Sequence, residues 1–193
     1  GPSLAKVLPF LKEIKKHAIL ICVETALKAV LNEGVEPDFI IITDPQYWAY
    51  KHMAGLSSKS SILITELSVY PAVFRFDCKK IVLSSSTFPI GTFFEKHFAP
   101  FGDLGAGGSV ASSAWNFAYF CGAREIYVCG LDLSYPKKET HIRGSSAEQN
   151  FHKISNRITN VEQFSCNMQF CANPQFSVDY KGNKVLTDSR MLM

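Results

Sequence analysis

Two aspartates, one histidine and two glycine-bearing turns are the residues of this sequence whose types and spacing could do chemistry. Residues 102–109 (GDLGAGGS) place four glycines in eight positions directly ahead of a helical pattern. Glycine lets a backbone approach a ligand closely, and helix N-terminal amides favour an anion. Gly107, Gly108 and Ser109 are therefore candidates to hold a phosphate or carboxylate. The alternative is an entry loop in which Gly108 permits tight packing and Ser109 is the N-cap. The stretch is neither a P-loop nor a GxGxxG turn. Gly1-Pro2-Ser3-Leu4, ahead of a helical segment reaching Lys16, offers a second set of amides, with Ser3 placed to cap. Asp44 and Asp132 each follow an apolar run, where a carboxylate serves either a ligand or a helix N-terminus. His141 lies shortly after Asp132 in KKETHIRG, a place for a general acid or base. An exposed histidine without a role is the other reading. Lys137, Lys138 and Arg143 flank it and would neutralise phosphate charge, or form a solvated basic loop. No GxSxG elbow, HExxH pair or protein-kinase set occurs.

These residues need a scaffold, and the apolar runs supply one. Residues 18–23 (AILICV), 39–43 (FIIIT), 61–65 (SILIT), 80–83 (KIVL) and 125–129 (EIYVC) read as strands, interleaved with helical stretches at 25–31, 47–53, 69–74, 92–97 and 109–121. Continuous apolar strands alternating with helices imply a parallel sheet covered on both faces. The reading is α/β, a Rossmann-like three-layer domain with a mostly parallel sheet. In such sheets ligands bind beyond the carboxyl ends of the strands. Those ends carry Glu24 and Thr25, Asp44, Thr65 and Glu66, Ser84–Ser86, and Asp132. Capping alone would explain Thr25 and a serine. Residues 134–170 are polar with a helical stretch after Ser146, and 176–188 read as a hairpin turning at Lys181-Gly182-Asn183. Residues 134–193 would thus be a lid or a cap on one domain spanning 1–193.

Composition narrows the class. In 193 residues, 47% hydrophobic and 19% charged, there is material for a core, which excludes disorder. A formal charge of +3 does not mark a nucleic-acid surface, and no apolar run is long enough to span a bilayer. Six cysteines form no CxxC pair and no zinc-finger spacing; Cys22, Cys121 and Cys129 lie in apolar runs as reduced core thiols. A reducing cytoplasm is the expected compartment, and no metal site is expected from spacing.

Taken in order, GPSL at Gly1–Leu4, TALK at 25–28, GVEPDF at 34–39 with Asp44, GGSV at 107–110, GLDL at 130–133, His141 and VLTD at 185–188 resemble the bacterial motility accessory factor (Maf) proteins. The same pattern occurs in archaeal 6-hydroxymethylpterin pyrophosphokinases, and the fold of the family is similar to bacterial sialyltransferases that use CMP-sialic acid. The resemblance implies a nucleotide-dependent transferase. Gly1, Pro2, Ser3, Gly107, Gly108 and Ser109 would hold the nucleotide and its phosphate. Asp44 and Asp132 would orient ribose, sugar or a metal, and His141 would assist proton transfer. The implied reaction attaches a nonulosonic acid from a CMP-sugar to flagellin Ser or Thr. The archaeal branch instead transfers diphosphate from ATP to a pterin with magnesium. A third reading is a nucleotide-binding module without chemistry. The family pattern has a strand and a further glycine ahead of GPSL, so this sequence, opening at Gly1, is expected to be the central part of a longer protein.

Overall fold

The computed structural model describes residues 1–105, 108–171, 173–179 and 181–188. They form two compact units: a sheet unit, Pro9–Tyr127, and a hairpin unit made of Gly1–Leu8 with Val128–Met193.

The sheet unit is built on β1 (Ile21–Val23), β2 (Phe39–Ile42), β3 (Ser57–Glu66) and β4 (Asp77–Ser84), in the spatial order β1-β2-β3-β4. Every pairing is parallel: Val23 lies beside Ile41, Ile42 beside Thr65, and Glu66 beside Ser84. The β-branched runs that predict strands also fill the core, because Ile40, Ile41, Ile42 and Leu63 are completely buried. Each such side chain contributes about 1.5–3 kcal/mol on leaving water. Side chains alternate across a strand. Ile21, Phe39, Ile41, Ile62 and Ile64 therefore share a face with Leu104 and with Val110, Ala114 and Phe117 of α5 (Val110–Phe120). Phe39 meets Phe117 edge-on at 4.9 Å. Around the sheet run α1 (Leu11–His17), α2 (Glu24–Asn32), α3 (Tyr47–Lys51) and α4 (Pro89–His97), so the α/β, Rossmann-like reading holds. No described helix is long and apolar enough to cross a membrane.

Three expectations fail locally. Residues 125–129 form no strand. An apolar run becomes a strand only against a partner, and β1, the sheet edge, pairs with β2 alone among the described residues. Cys129 in that segment and Cys121, the C-cap of α5, are exposed rather than core thiols. Thr25 is not a cap either: the N-cap of α2 is Val23, and Glu24 is the first helical residue.

The hairpin unit holds α6 (Ser146–Ile154), α7 (Val161–Phe170) and an antiparallel pair, β5 (Pro174–Val178) with β6 (Lys184–Asp188). Ser145 caps α6 by accepting from the Glu148 N–H at 3.3 Å, and Asn160 caps α7 through Gln163 at 2.9 Å. Phe151 and Phe164 stack at 5.9 Å to join the two helices.

Candidate functional site

Because all four strands of the sheet unit run the same way, their carboxyl ends line one rim. The register brings Glu24, Asp44, Thr65, Glu66 and Ser84–Ser86 to that edge, as expected of an open α/β sheet. The two ends of the rim are chemically unlike.

At the β4 end the polar groups are consumed by the fold. Ser84 Oγ donates to the Thr65 carbonyl at 3.3 Å and Ser85 Oγ to the Phe101 carbonyl at 2.7 Å. Ser86 N–H donates to Glu95 Oε1 at 2.8 Å, while Ser86 Oγ accepts from Phe88 N–H at 3.1 Å and meets Ser68 Oγ at 2.9 Å. Ser68 in turn donates to Glu66 Oε2 at 3.0 Å. Burial pushes the Glu66 carboxyl up from its ordinary range, against hydrogen bonds from Ser86 and Ser68 that pull it down. Gly91 of α4 closes this loop: a Cβ there would lie 2.4 Å from the Ser86 Cβ.

At the β1–β2 end the polar groups are not consumed. Glu24 is 4% exposed, and its Oε2 has no hydrogen-bond partner among the described residues. Burial raises its pKa to about 8, with the charge of Asp44 adding to the shift, so the carboxyl is un-ionised at neutral pH. Thr65 Oγ1, on β3 in the middle of the rim and so belonging to neither end, is also buried without a partner among the described residues. Half-buried Asp44 accepts from the Gln46 N–H through Oδ1 at 2.8 Å, a turn that opens α3. Burial lowers the pKa of His52, just past α3, and Asp44 opposes that shift. Sequence reasoning placed Glu24 on the rim. Its un-ionised state depends on tertiary burial and could not be read there.

At the start of α5, Ser109 is the N-cap, accepting from the Ala111 N–H at 3.2 Å. Gly108 beside it has φ +73° and open space where a Cβ would stand. Gly107 lies outside the described residues.

In the hairpin unit Gly1, Pro2, Ser3 and Asp132 come together. The turn at Pro2–Lys6 is a short 3-10 helix in which Pro2 costs no hydrogen bond. Ser3 does not cap it with its side chain; instead its N–H donates to Asp132 Oδ2 at 3.0 Å. The approach depends on two glycines. A Cβ on Gly1 would lie 2.2 Å from Asp132 Oδ2, and one on Gly130 (φ +76°) would lie 2.9 Å from Leu4 Cβ. Behind Asp132 the hairpin fixes the chain: Thr187 Oγ1 donates to the Leu133 carbonyl at 2.5 Å and Tyr135 N–H to the Leu186 carbonyl at 2.8 Å. Leu133, Lys137 and Lys138 all have positive φ in this stretch. Half-buried His141 follows in the same unit. No group of three or more His, Cys, Asp or Glu suited to a metal occurs among the described residues.

Residues 1–138 match the family model described as 6-hydroxymethylpterin diphosphokinase MptE-like. The chain belongs to that family. Relatives of this MptE-like chain include uncharacterized proteins of Treponema pallidum (strain Nichols). One is 41% identical over 151 residues, which are 72% of this chain and 37% of that protein. Another is 28% identical over 134 residues, 69% of this chain and 30% of that protein. The chain thus spans roughly a third of the length of the curated relatives it matches. The Maf glycosyltransferase from Magnetospirillum magneticum AMB-1 shares the fold over 100% of this MptE-like chain and 27% of its own, with a TM-score of 0.70 at 20% identity.

Proposed function

We propose that this MptE-like chain is a nucleotide-dependent transferase domain that moves a nonulosonic sugar from a CMP donor to a Ser or Thr hydroxyl of flagellin. The observation that carries the reading is the likeness of the whole chain to the fold of the Maf glycosyltransferase from Magnetospirillum magneticum AMB-1. The geometry of each unit supports it. The Ser3 N–H of the Gly1-Pro2-Ser3 turn donates to Asp132 Oδ2, so the turn presents an amide of the kind that a phosphate oxygen would accept from. Gly107, Gly108 and Ser109 would offer the N-terminus of α5 to a phosphate. Asp44 in the sheet unit and Asp132 in the hairpin unit each carry a carboxylate of the kind that accepts ribose or sugar hydroxyl protons. In the transfer, the acceptor oxygen bonds to the anomeric carbon while the bond from that carbon to the phosphate oxygen breaks. The acceptor proton passes to the His141 imidazole, and CMP leaves with the bonding electron pair.

The family model favours a second reading, diphosphate transfer from ATP to the hydroxymethyl oxygen of a pterin, releasing AMP. Asp44 of the sheet unit and Asp132 of the hairpin unit are each hard oxygen donors of the kind magnesium takes beside substrate phosphates, and magnesium would supply neutralisation of phosphate charge.

Calorimetry with CMP, CDP, ATP and GTP separates the two. Binding of cytidine nucleotides is the expected result, and its absence overturns the CMP-donor assignment. Magnesium-dependent ATP binding that Asp132→Asn abolishes, with no cytidine site, would establish the second reading instead.

A further inference from the structure

Beyond Asp44 the rim carries a feature that the catalytic reading leaves unused. Tyr47, Trp48 and Tyr50 lie on α3, which starts directly after the Asp44 turn, and Tyr70 follows the carboxyl end of β3. Their rings form one cluster. Tyr50 stacks on Tyr70 at 5.3 Å, Tyr47 meets Tyr70 edge-on at 5.2 Å, and Trp48 lies 5.7 Å from Tyr47. Tyr50 and Tyr70 are half-buried and form the inner layer; Tyr47 is 43% and Trp48 62% exposed. A single exposed aromatic needs no explanation. Here Tyr47 meets Trp48, Tyr50 and Tyr70, and Tyr50 stacks on Tyr70, which leaves Tyr47 and Trp48 as an aromatic surface facing solvent.

The polar groups beside the platform select its occupant. Asp44 Oδ2 receives no hydrogen bond from the described residues, because the turn uses Oδ1. Lys51 Nζ is held 5.5 Å from the centre of the Tyr47 ring and makes no ion pair with any described residue. An aromatic face suits the C–H side of a sugar ring, an open carboxylate accepts its hydroxyl protons, and a lysine pairs with a carboxylate on the ring. The geometry points to a binding subsite for the acidic sugar ring of the donor, formed by Tyr47 and Trp48 with Asp44 and Lys51. This rests on the sugar-transferase reading and assigns the part of the donor that these residues recognise.

The two tryptophans are Trp48 and Trp115, so Trp115→Phe leaves Trp48 as the only indole reporter in the 193-residue chain. The probes are CMP-N-acetylneuraminic acid and free CMP, titrated by Trp48 fluorescence and by calorimetry. The sugar nucleotide should change the Trp48 emission and bind more tightly than CMP. Trp48→Ala should weaken the sugar nucleotide about tenfold, the equivalent of one aromatic stacking contact, and change CMP affinity less than about twofold. Trp48→Phe should restore most of the loss. Lys51→Gln should weaken the sugar nucleotide and leave CMP alone. A sugar nucleotide whose affinity is unchanged in Trp48→Ala overturns the subsite and leaves the transferase reading standing. Equal loss of CMP and sugar nucleotide also overturns it, by assigning the platform to the base. If neither ligand binds, both readings fall. A thermal melt of each variant accompanies the titrations, and the exposure of Trp48 makes an unchanged midpoint the expected result.

Discussion

The two ends of the sheet rim share a topology and differ in what their polar groups do. Between β3 and β4, Ser68, Ser84, Ser85, Ser86, Glu66 and Glu95 answer one another or nearby backbone, and Gly91 makes room for the knot. Between β1 and β2, among the described residues, Glu24 Oε2 has no partner and Asp44 keeps an oxygen open, and an aromatic platform faces outward. A hydroxyl-rich strand end can be pure scaffold; an unspent buried polar group is costly, and its persistence calls for a use. The lesson is that position on the carboxyl edge nominates residues, and hydrogen-bond accounting chooses among them.

The largest effect should come from Glu24, and it should depend on pH. Its folded pKa of about 8 lies above the ordinary carboxyl value, so the unfolded chain sheds the proton first. Its protonated form suits the fold fully at low pH, and stability falls as pH rises from about 4.5 to about 8. Glu24→Gln removes that slope: chemical denaturation at pH 5 and pH 8.5 should show the variant gaining on the wild type by several kcal/mol at the higher pH, on the order of 1.4 kcal/mol per pKa unit. An equal difference at both values would mean that Glu24 is ionised in the folded protein.

Gly91→Ala comes next. The Cβ has no room beside Ser86, and overpacking of this kind costs about 1–3 kcal/mol by urea titration. A neutral result would show that the β4 loop is slack, and the contrast between the two ends would weaken. Ser109→Ala should cost about 1 kcal/mol through loss of the α5 cap. A smaller loss in the presence of a saturating nucleotide than in its absence would implicate the cap in anion binding. Smallest in stability is Asp44→Asn. The amide oxygen can still accept from Gln46, so the melting temperature should hold while calorimetry shows weakened donor binding. Retained affinity would remove Asp44 from the site.

The strands and the rim were legible because continuous apolar runs and the polar residues that follow them are local properties. Residues 125–129 look the same in sequence as the 39–43 run, yet only the latter has neighbours on both sides, and no periodicity reports whether a partner exists. The Ser109 cap was legible for the same local reason. The bond from Ser3 to Asp132 joins positions 129 residues apart, so the turn and the carboxylate could each be nominated but not joined. The hairpin was foreseen as a shape; its task of fixing the backbone after Asp132 through Thr187 and Leu186 was not. No local signal in the sequence marks Trp48, because its exposure beside a ring cluster that includes Tyr70 is a tertiary property.

β1 is three residues long and has a neighbour on one flank only among the described residues. A strand margin of that kind invites foreign chains to zip on through their main-chain groups. Three residues give an incoming segment few rungs to grip, so brevity itself shields this flank from stickiness. Lengthening β1 by grafting β-formers onto the positions before Ile21 would trade that protection for a ready seed of aggregation.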